Sequence, residues 1–500
     1  MIGARTAALL MAAAASVMTG TTASAETLKE AMAAAYATNP QITAARAGQR
    51  VNDEELVRAK QTVLPTIGAN TFLDQETTGP AQFDDLQRQV IGGVELRQPV
   101  FTFGRTKNGI RAADRGVLAG RQLLRGTENQ LMLDVVTVYM DVLTDQSEVE
   151  LTTNNVSVLE RQLQATTDRF EVGDVTRTDV AQSEARLALA RSQNIAAQAN
   201  LESSRYAYEQ VVGHPPVDLQ PPPALPALPA DTDEAVEIAL NLNPFVQSAR
   251  LQEEAQAYRV RQTRGQLYPT LEATLRAGYV DIQGLNQQFN IPFSFTDWTQ
   301  NIRLTATIPI FSGGQIGSQV RSAKALAVQR REEALSAERQ TISQVRTAAE
   351  NLLAARATIN ASALAVDANE LALEGTRAEL TVGTRNILDV LNAEQELLTS
   401  QVQLVRAERN SYVAAFALLA AMGRAEADDL GVPVRLYDAE RYLDRADDHW
   451  FDWTAEFDPQ PVTTEPTVPV PAPTVRRPLP DPTPEAPSAD EVLATEGDAG

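Results

Sequence analysis

Two uninterrupted helix-favouring stretches dominate the hydrophobic and polar pattern of the chain. No proline occurs within residues 100–214 or 310–432, although the sequence contains 27 prolines. Proline costs a helix interior roughly 3 kcal/mol, so gaps of this length favour long helices. The limbs 104–172 and 314–382 could each form a helix of roughly 70 residues, or on the order of 100 Å. The sequence therefore predicts rods that are far longer than a compact domain is wide.

Each long stretch is broken once, at a glycine. Gly173 lies in the segment FEVGDVTRTDVAQSE, and Gly383 lies in the segment LTVGTRNILDVLNAE. A glycine followed by a new helical pattern marks the end of one helix and the start of another, so both segments are predicted to be hairpin turns. On the last return limb, five apolar residues recur every seven positions, which predicts coiled-coil packing: Leu391, Leu398, Val405, Tyr412 and Leu419.

Four shorter segments alternate between apolar and polar residues, at about 66–79, 88–100, 270–282 and 298–311. Segments of about ten residues with one apolar and one polar face are typical of transmembrane β-barrel strands. Several aromatic residues lie near the predicted strand ends, as at a membrane interface: Phe101, Phe103, Tyr279, Trp298 and Phe311. Four strands are too few to close a barrel in lipid, so we expect several copies to share one barrel.

The chain contains two copies of one building block. Asn39-Pro40 recurs as Asn243-Pro244, at an offset of 204 residues (39 to 243). Val172-Gly173 recurs as Val382-Gly383, at an offset of 210 residues (172 to 382). Pro65-Thr66 still recurs at 204, as Pro269-Thr270, and Pro99 recurs at 210, as Pro309, so six residues were gained between Thr270 and Pro309, within the second pair of strands. An insertion confined to one place is typical of a loop tip.

The predicted organisation has six parts. Residues 1–25 resemble a secretory signal peptide with the cleavage site Ala23-Ser24-Ala25. The remaining parts are the first repeat at 26–213, a proline-rich linker at 214–230, the second repeat at 231–424, an equatorial C-terminal segment at 425–457, and a proline-rich acidic tail at 458–500 that we expect to be disordered. No later segment has the ~18 apolar residues of a membrane-spanning helix.

The composition narrows the possible functions. Acidic residues outnumber basic residues 65 to 43, which argues against nucleic-acid binding. The chain has no cysteine, and its two histidines, His214 and His449, lie in or beside proline-rich segments without the spacing of metal ligands. We expect both to be solvated loop residues. No catalytic motif of a hydrolase or nucleotide-binding protein is present, so we expect neither enzymatic activity nor a cofactor or metal.

The motifs over residues 26–424 resemble those of the TolC-type outer-membrane factors, the exit ducts of tripartite efflux pumps and type I secretion systems. The resemblance rests on Asn-Pro before both second helices, Pro-Thr before both strand pairs, Pro-Val-Phe or Pro-Ile-Phe after them, and twin turns ending in Asp-Val. It implies a mainly α, internally duplicated homotrimer in the outer membrane, with a 12-stranded transmembrane β-barrel continued by a long periplasmic α-helical barrel and a small mixed equatorial region.

The resemblance also implies partners and site residues. Family members open when a periplasmic adaptor and an inner-membrane transporter of the RND or ABC type engage the closed periplasmic end. At that end, Arg385 matches a residue that links neighbouring helices, and Asp389 matches a ring of carboxylates at the entrance. Thr178 and Asp179 match the partner positions on the first hairpin.

Two positions depart from the pattern of the best-known family member. Asn392 stands where a second ring of carboxylates would lie, and Leu380 stands where a tyrosine acts as a latch. From the residues alone, Asp179 and Asp389 also fit ordinary acids of a first helical turn, favoured by the helix dipole.

Two functions remain open at this point. The first is a gated exit duct in the outer membrane without chemistry of its own. The second is a periplasmic coiled-coil adaptor or scaffold without a pore, which would leave the two strand pairs unexplained.

Overall fold

A computed structural model describes residues 25–77, 86–286 and 291–448. Its helices are Leu28–Thr38 (α1), Pro40–Gln61 (α2), Arg105–Glu171 (α3), Arg177–Val212 (α4), Thr232–Leu242 (α5), Pro244–Arg264 (α6), Gln315–Thr381 (α7), Ile387–Met422 (α8) and Glu440–Asp447 (α9). Its strands are Thr66–Thr77 (β1), Leu86–Phe101 (β2), Thr270–Asn286 (β3) and Ile291–Thr307 (β4). Within these ranges, none of the helices has an apolar stretch that could cross a bilayer. Residues 1–24 of the predicted signal peptide, residues 449–457 of the predicted equatorial segment (which include His449) and the tail 458–500 lie outside the described residues.

The two predicted rods are present as α3 and α7, each 67 residues long. At about 1.5 Å per residue, each spans roughly 100 Å. The bounds of α7 and α8 lie 210 positions after those of α3 and α4 (105 to 315, 177 to 387), and those of α5 and α6 lie 204 positions after those of α1 and α2 (28 to 232, 40 to 244). The internal duplication therefore holds at the level of individual helix ends. Along α8, Leu391, Leu398, Tyr412 and Leu419 are buried, and Val405 is half-buried.

The short helices stack end to end on the return helices, and an asparagine makes each junction. The side chain of Asn39 caps the start of α2 by accepting a hydrogen bond from the Gln41 N–H. Its amide nitrogen donates to the carbonyl of Val211 near the end of α4, at 2.8 Å. Asn243 makes the same 2.8 Å bond to Ala421 near the end of α8. The proline after each asparagine occupies the first helical turn, where a missing N–H costs nothing.

The four strands form one antiparallel sheet in the order β1-β2-β3-β4. One lateral row places Ile67, Leu96, Leu275 and Ile302 side by side on the same face. On the opposite face, Glu95 forms ion pairs with Arg97 and Arg276. The alternation predicted from the sequence thus produces one apolar and one charged face.

The position of β4 differs from the prediction: it begins at Ile291 rather than 298 and ends at Thr307 rather than 311. The ladder ends at Thr307 because its partner Thr270 is the first residue of β3, so Ile308 and Ile310 continue the alternating pattern without a paired strand beside them. The Tyr279–Trp298 ring pair, with centroids 5.6 Å apart, consequently lies within the ladder rather than at its end.

The six additional residues of the second repeat lie between Asp281 and Thr296. The described pair Thr77 with Leu86 in the first hairpin corresponds to Asp281 with Thr296, at offsets of 204 and 210. The second ladder continues beyond that point for five more pairs, to Asn286 with Ile291. Over the described pairs that the two hairpins share, the register is therefore the same.

The main core lies midway along the rods, where α1, α5, the linker and residues 425–434 pack against α3, α7 and α8. The expectation that His214 is solvated was wrong, because its side chain is only 1% exposed. Its Nε2 lies 3.3 Å from Oε1 of Glu26, and its ring lies edge-on to Tyr208. Burial alone would lower the pKa of His214, but the Glu26 carboxylate raises it above its usual value.

Candidate functional site at the hairpin tips

The candidate site is the tip region, where α3 turns into α4 and α7 turns into α8. Gly173 and Gly383 have φ angles of +81° and +78°, a conformation that glycine adopts without steric cost. At the first tip, the Asp174 N–H donates to the carbonyl of Arg169 at 2.9 Å and so closes the end of α3. The Thr384 N–H makes the equivalent bond to Glu379, at 3.0 Å. Both turns are Schellman motifs, as the glycine positions in the sequence suggest.

Asp179 closes the start of α4 in a capping box. Its Oδ2 accepts hydrogen bonds from the N–H and the hydroxyl of Thr176, at 2.8 and 2.7 Å. These two bonds hold the pKa of Asp179 below its usual value. Thr178, the neighbouring predicted site residue, is exposed. Within one chain, Asp179 thus has the helix-start role that the sequence left open as an alternative.

Asp389 has the same place at the start of α8 but is held less tightly. Asn386 caps this helix: its side-chain Oδ1 accepts a hydrogen bond from the Asp389 N–H at 2.9 Å. In return, the backbone N–H of Asn386 donates to the Asp389 carboxylate at 3.4 Å. Arg385 donates to Glu379 at 2.8 Å, and its Nη1 lies 3.9 Å from the Asp389 carboxylate. Both carboxylates raise the pKa of the Arg385 guanidinium, and Glu379 has the larger effect.

The structure brings Arg385 and Asp389 together, but it does not bring Arg385 to the first hairpin. Among the described residues, Arg385 makes no hydrogen bond or ion pair with Thr178 or Asp179. Its contacts lie within the second hairpin of its own chain.

An apolar cluster joins the two hairpins next to the tips. We call it the Leu380 cluster: α3, α4 and α8 contribute its buried residues, and α7 contributes Leu380, which packs against them; the buried residues are Leu159, Leu187, Ala190, Ile387 and Leu391. Leu380 is half-buried and packs against this cluster. At the position where the resemblance places a tyrosine latch, this chain therefore makes an apolar contact.

A polar contact crosses between the same hairpins, and sequence reasoning did not find it. Nη2 of Arg186 on α4 donates to Oδ1 of Asn392 on α8, at 2.7 Å. Asn392 is a predicted site residue, but Arg186 is one of four arginines on α4 and lies 206 positions away. Only the packing of α4 against α8 shows that these two side chains meet.

Comparison with known proteins places this arrangement in a family. The sequence profile of the outer membrane efflux protein family matches residues 31–214 and 235–424. The chain is 34% identical over 436 residues to outer membrane efflux protein BepC of Brucella suis, covering 87% of this chain and 93% of that protein. It is 25% identical over 424 residues to outer membrane protein TolC of Escherichia coli, covering 81% and 84%.

The fold comparison agrees. The Campylobacter jejuni CmeC outer membrane channel superposes with a TM-score of 0.71, at 16% identity, covering 84% of this chain and 89% of that one. The two profile matches correspond to the two structural repeats, and the resemblance predicted from the sequence motifs is confirmed. The chain belongs to the outer membrane efflux protein family, and its location is the outer membrane.

Proposed function

We propose that the chain forms a homotrimeric duct that carries substrates from an inner-membrane transporter across the periplasm and outer membrane. Three copies would contribute twelve strands to a barrel in outer-membrane lipid and twelve helical strands to a periplasmic tunnel. A periplasmic adaptor and a transporter of the RND or ABC type would engage the tip region. The duct would carry out no chemical reaction of its own.

The open edges of the sheet support this proposal most directly. β1 pairs only with β2 and β4 only with β3, so both outer strands leave unpaired N–H and C=O groups along one side. Every residue of β4 is exposed, including Ile302 at 84% and Leu304 at 64%. Lipid tolerates no open strand edge, so a neighbouring copy must pair with each one. A pore-free periplasmic scaffold would give these apolar edges no partner.

We propose that the tip region is the gate of this duct. A threefold ring of Asp389 carboxylates at a narrow mouth would attract cations, because like charges placed close together strengthen the local negative potential. Thr178 and Asp179 of one copy would face Arg385 of the next. Within each copy, the Leu380 cluster and the Arg186–Asn392 bond would hold the two hairpins together.

The stoichiometry provides the test. We expect the full-length chain, extracted from outer membranes in detergent, to sediment as three copies and to run as a heat-modifiable trimer on gels. A monodisperse monomer that remains soluble without detergent would contradict the duct. Leu304→Pro in β4 disrupts one open edge and should abolish the trimer. Leu364→Pro in the helical rod is the control for general misfolding.

A further inference from the structure

The C-terminal segment after α8 packs along the outside of the first repeat. Arg121 on α3 forms a 2.7 Å ion pair with Glu440 at the start of α9. Lys60 near the end of α2 forms a 2.6 Å ion pair with Asp447 at the end of α9. Two cations of the first repeat therefore hold the two ends of a short acidic helix.

The same segment contacts a cation and an acid of the first repeat, Arg46 and Glu128. The guanidinium of Arg46 lies between the rings of Tyr36 and Tyr437, at 4.6 and 5.0 Å from their centroids. Glu128 accepts a hydrogen bond from the N–H of Ala427, at 2.8 Å. Tyr437 and Ala427 both belong to the C-terminal segment.

The second repeat keeps the charges of this docking surface. At offsets of 204 and 210, Arg46, Lys60, Arg121 and Glu128 correspond to Arg250, Arg264, Arg331 and Glu338. Without a covering segment, Arg250 pairs directly with Glu338 at 2.7 Å, and both side chains stay partly exposed.

Two of these cations have no acidic partner among the described residues. Arg264 and Arg331 are exposed and form no ion pair within residues 25–77, 86–286 and 291–448. Leu335 lies one turn after Arg331 on α7 and is 39% exposed. Its counterpart Arg125 binds Glu426 of the C-terminal segment. The second surface is thus cationic, partly apolar and uncovered.

We propose that residues 449–458 of the same chain, HWFDWTAEFD, dock on this second surface. We call these residues the extension. They combine three acids, Asp452, Glu456 and Asp458, with four aromatic residues, so they complement both Arg264 and Arg331 and the exposed Leu335. Residues 449–500 hold ten acidic and two basic residues, so the chain beyond α9 as a whole is attracted to cations.

The extension can reach this surface. Asp447 lies at the end of α2, and α3 lies between α2 and α6 in the helical layer. Packed helices are about 8–10 Å apart, so the end of α6 is about 20 Å away. About six residues of extended chain span that distance. The residues that arrive beside Arg264 are therefore those around Ala455.

Crosslinking tests the assignment in the full-length trimer, because the chain contains no native cysteine. We expect a short bismaleimide to join Arg264→Cys to Ala455→Cys within one polypeptide. Ile195→Cys, on an exposed position of α4, serves as the control partner and should give no product. A covalent dimer would assign the surface to the extension of a neighbouring copy and overturn the same-chain proposal, as would equal yields from both pairs.

Proteolysis provides a second readout. We expect the double variant Arg264→Glu and Arg331→Glu to be cut by chymotrypsin at Trp453 and Phe457 about tenfold faster than wild type, since two exposed ion pairs together contribute about 1.4 kcal/mol. The control, Arg161→Glu with Arg177→Glu, changes the net charge equally near the first tip and should leave the rate unchanged. Equal rates in wild type and the first variant, or equal acceleration in both variants, would overturn the proposal. If the first variant fails to form trimers, the crosslinking result decides.

Discussion

Replacement of Arg186 by alanine removes a polar bond that joins the two hairpins of each protomer near their tips, and it leaves both hairpins intact. Arg186 reaches Asn392 on α8 at 2.7 Å, whereas the neighbouring Arg191 reaches Glu160 on α3 at the same distance. The first bond crosses between hairpins and the second lies within one. We therefore expect Arg186→Ala to raise the resting open probability of the channel and Arg191→Ala to leave it near that of wild type.

The size of this effect follows from exposure and symmetry. A hydrogen bond with one charged partner at a solvent-exposed site contributes about 0.5–1 kcal/mol. If the three protomers open together, three bonds break in one transition, for a total of about 1.5–3 kcal/mol. Because about 1.4 kcal/mol corresponds to a factor of ten, the ratio of open to closed channels should rise about 10- to 150-fold. The Leu380 cluster remains in place, so the channel should still close.

Single-channel recording in planar bilayers measures this ratio directly. Asn392→Ala should reproduce the effect of Arg186→Ala, and the double variant should add little to either, because both changes remove the same bond. An unchanged open probability would show that the bond does not oppose opening. An equal increase in Arg191→Ala would assign the effect to general loosening of the helices.

Four further changes probe the tip and the core. Asp389→Ala should weaken the cation selectivity of the channel by several-fold, and an unchanged reversal potential would place Asp389 away from the constriction. Arg385→Ser should increase the resting conductance if its guanidinium links neighbouring copies, and no change would leave closure to Arg186 and Leu380. Burial raises the pKa of Glu128 to about 7, so its contribution to stability is present below pH 4.5 and is lost as the pH rises through 7. Glu128→Gln should therefore be more stable than wild type at pH 8, with a free energy of unfolding about 1–2 kcal/mol larger and a higher melting temperature, and show no gain at pH 5. Gly423→Ala should destabilise the fold by about 1–3 kcal/mol in thermal melts, because φ is +75° and the new Cβ would lie 2.7 Å from the carbonyl oxygen of Leu242.

The helices could be predicted from the sequence because their ends depend on nearby residues. Asn39 and Asn243 cap helices, Gly173 and Gly383 end them, and the absence of proline sets their length. The strand β4 was placed less well, since its limits depend on pairing with β3 as well as on its own alternation. The burial of His214 could not be predicted, because its partner Glu26 lies 188 positions earlier in the chain (26 to 214).

The tip region shows the same division between local and distant causes. Gly173 and Gly383 occupy equivalent positions, and so do Asp179 and Asp389, because both repeats need the same turn and the same helix start. The side chains that make the charged contacts near the tips are not repeated. At an offset of 210, Arg385, which pairs within its own hairpin, corresponds to Val175, and Arg186, which bonds to the other hairpin, corresponds to Glu396. Duplication thus preserved what each hairpin needs to fold, while the contacts between hairpins diverged. Substitution of the shared glycines should therefore lower stability in both repeats, whereas substitution of Arg186 or Arg385 should change conductance without unfolding the rods.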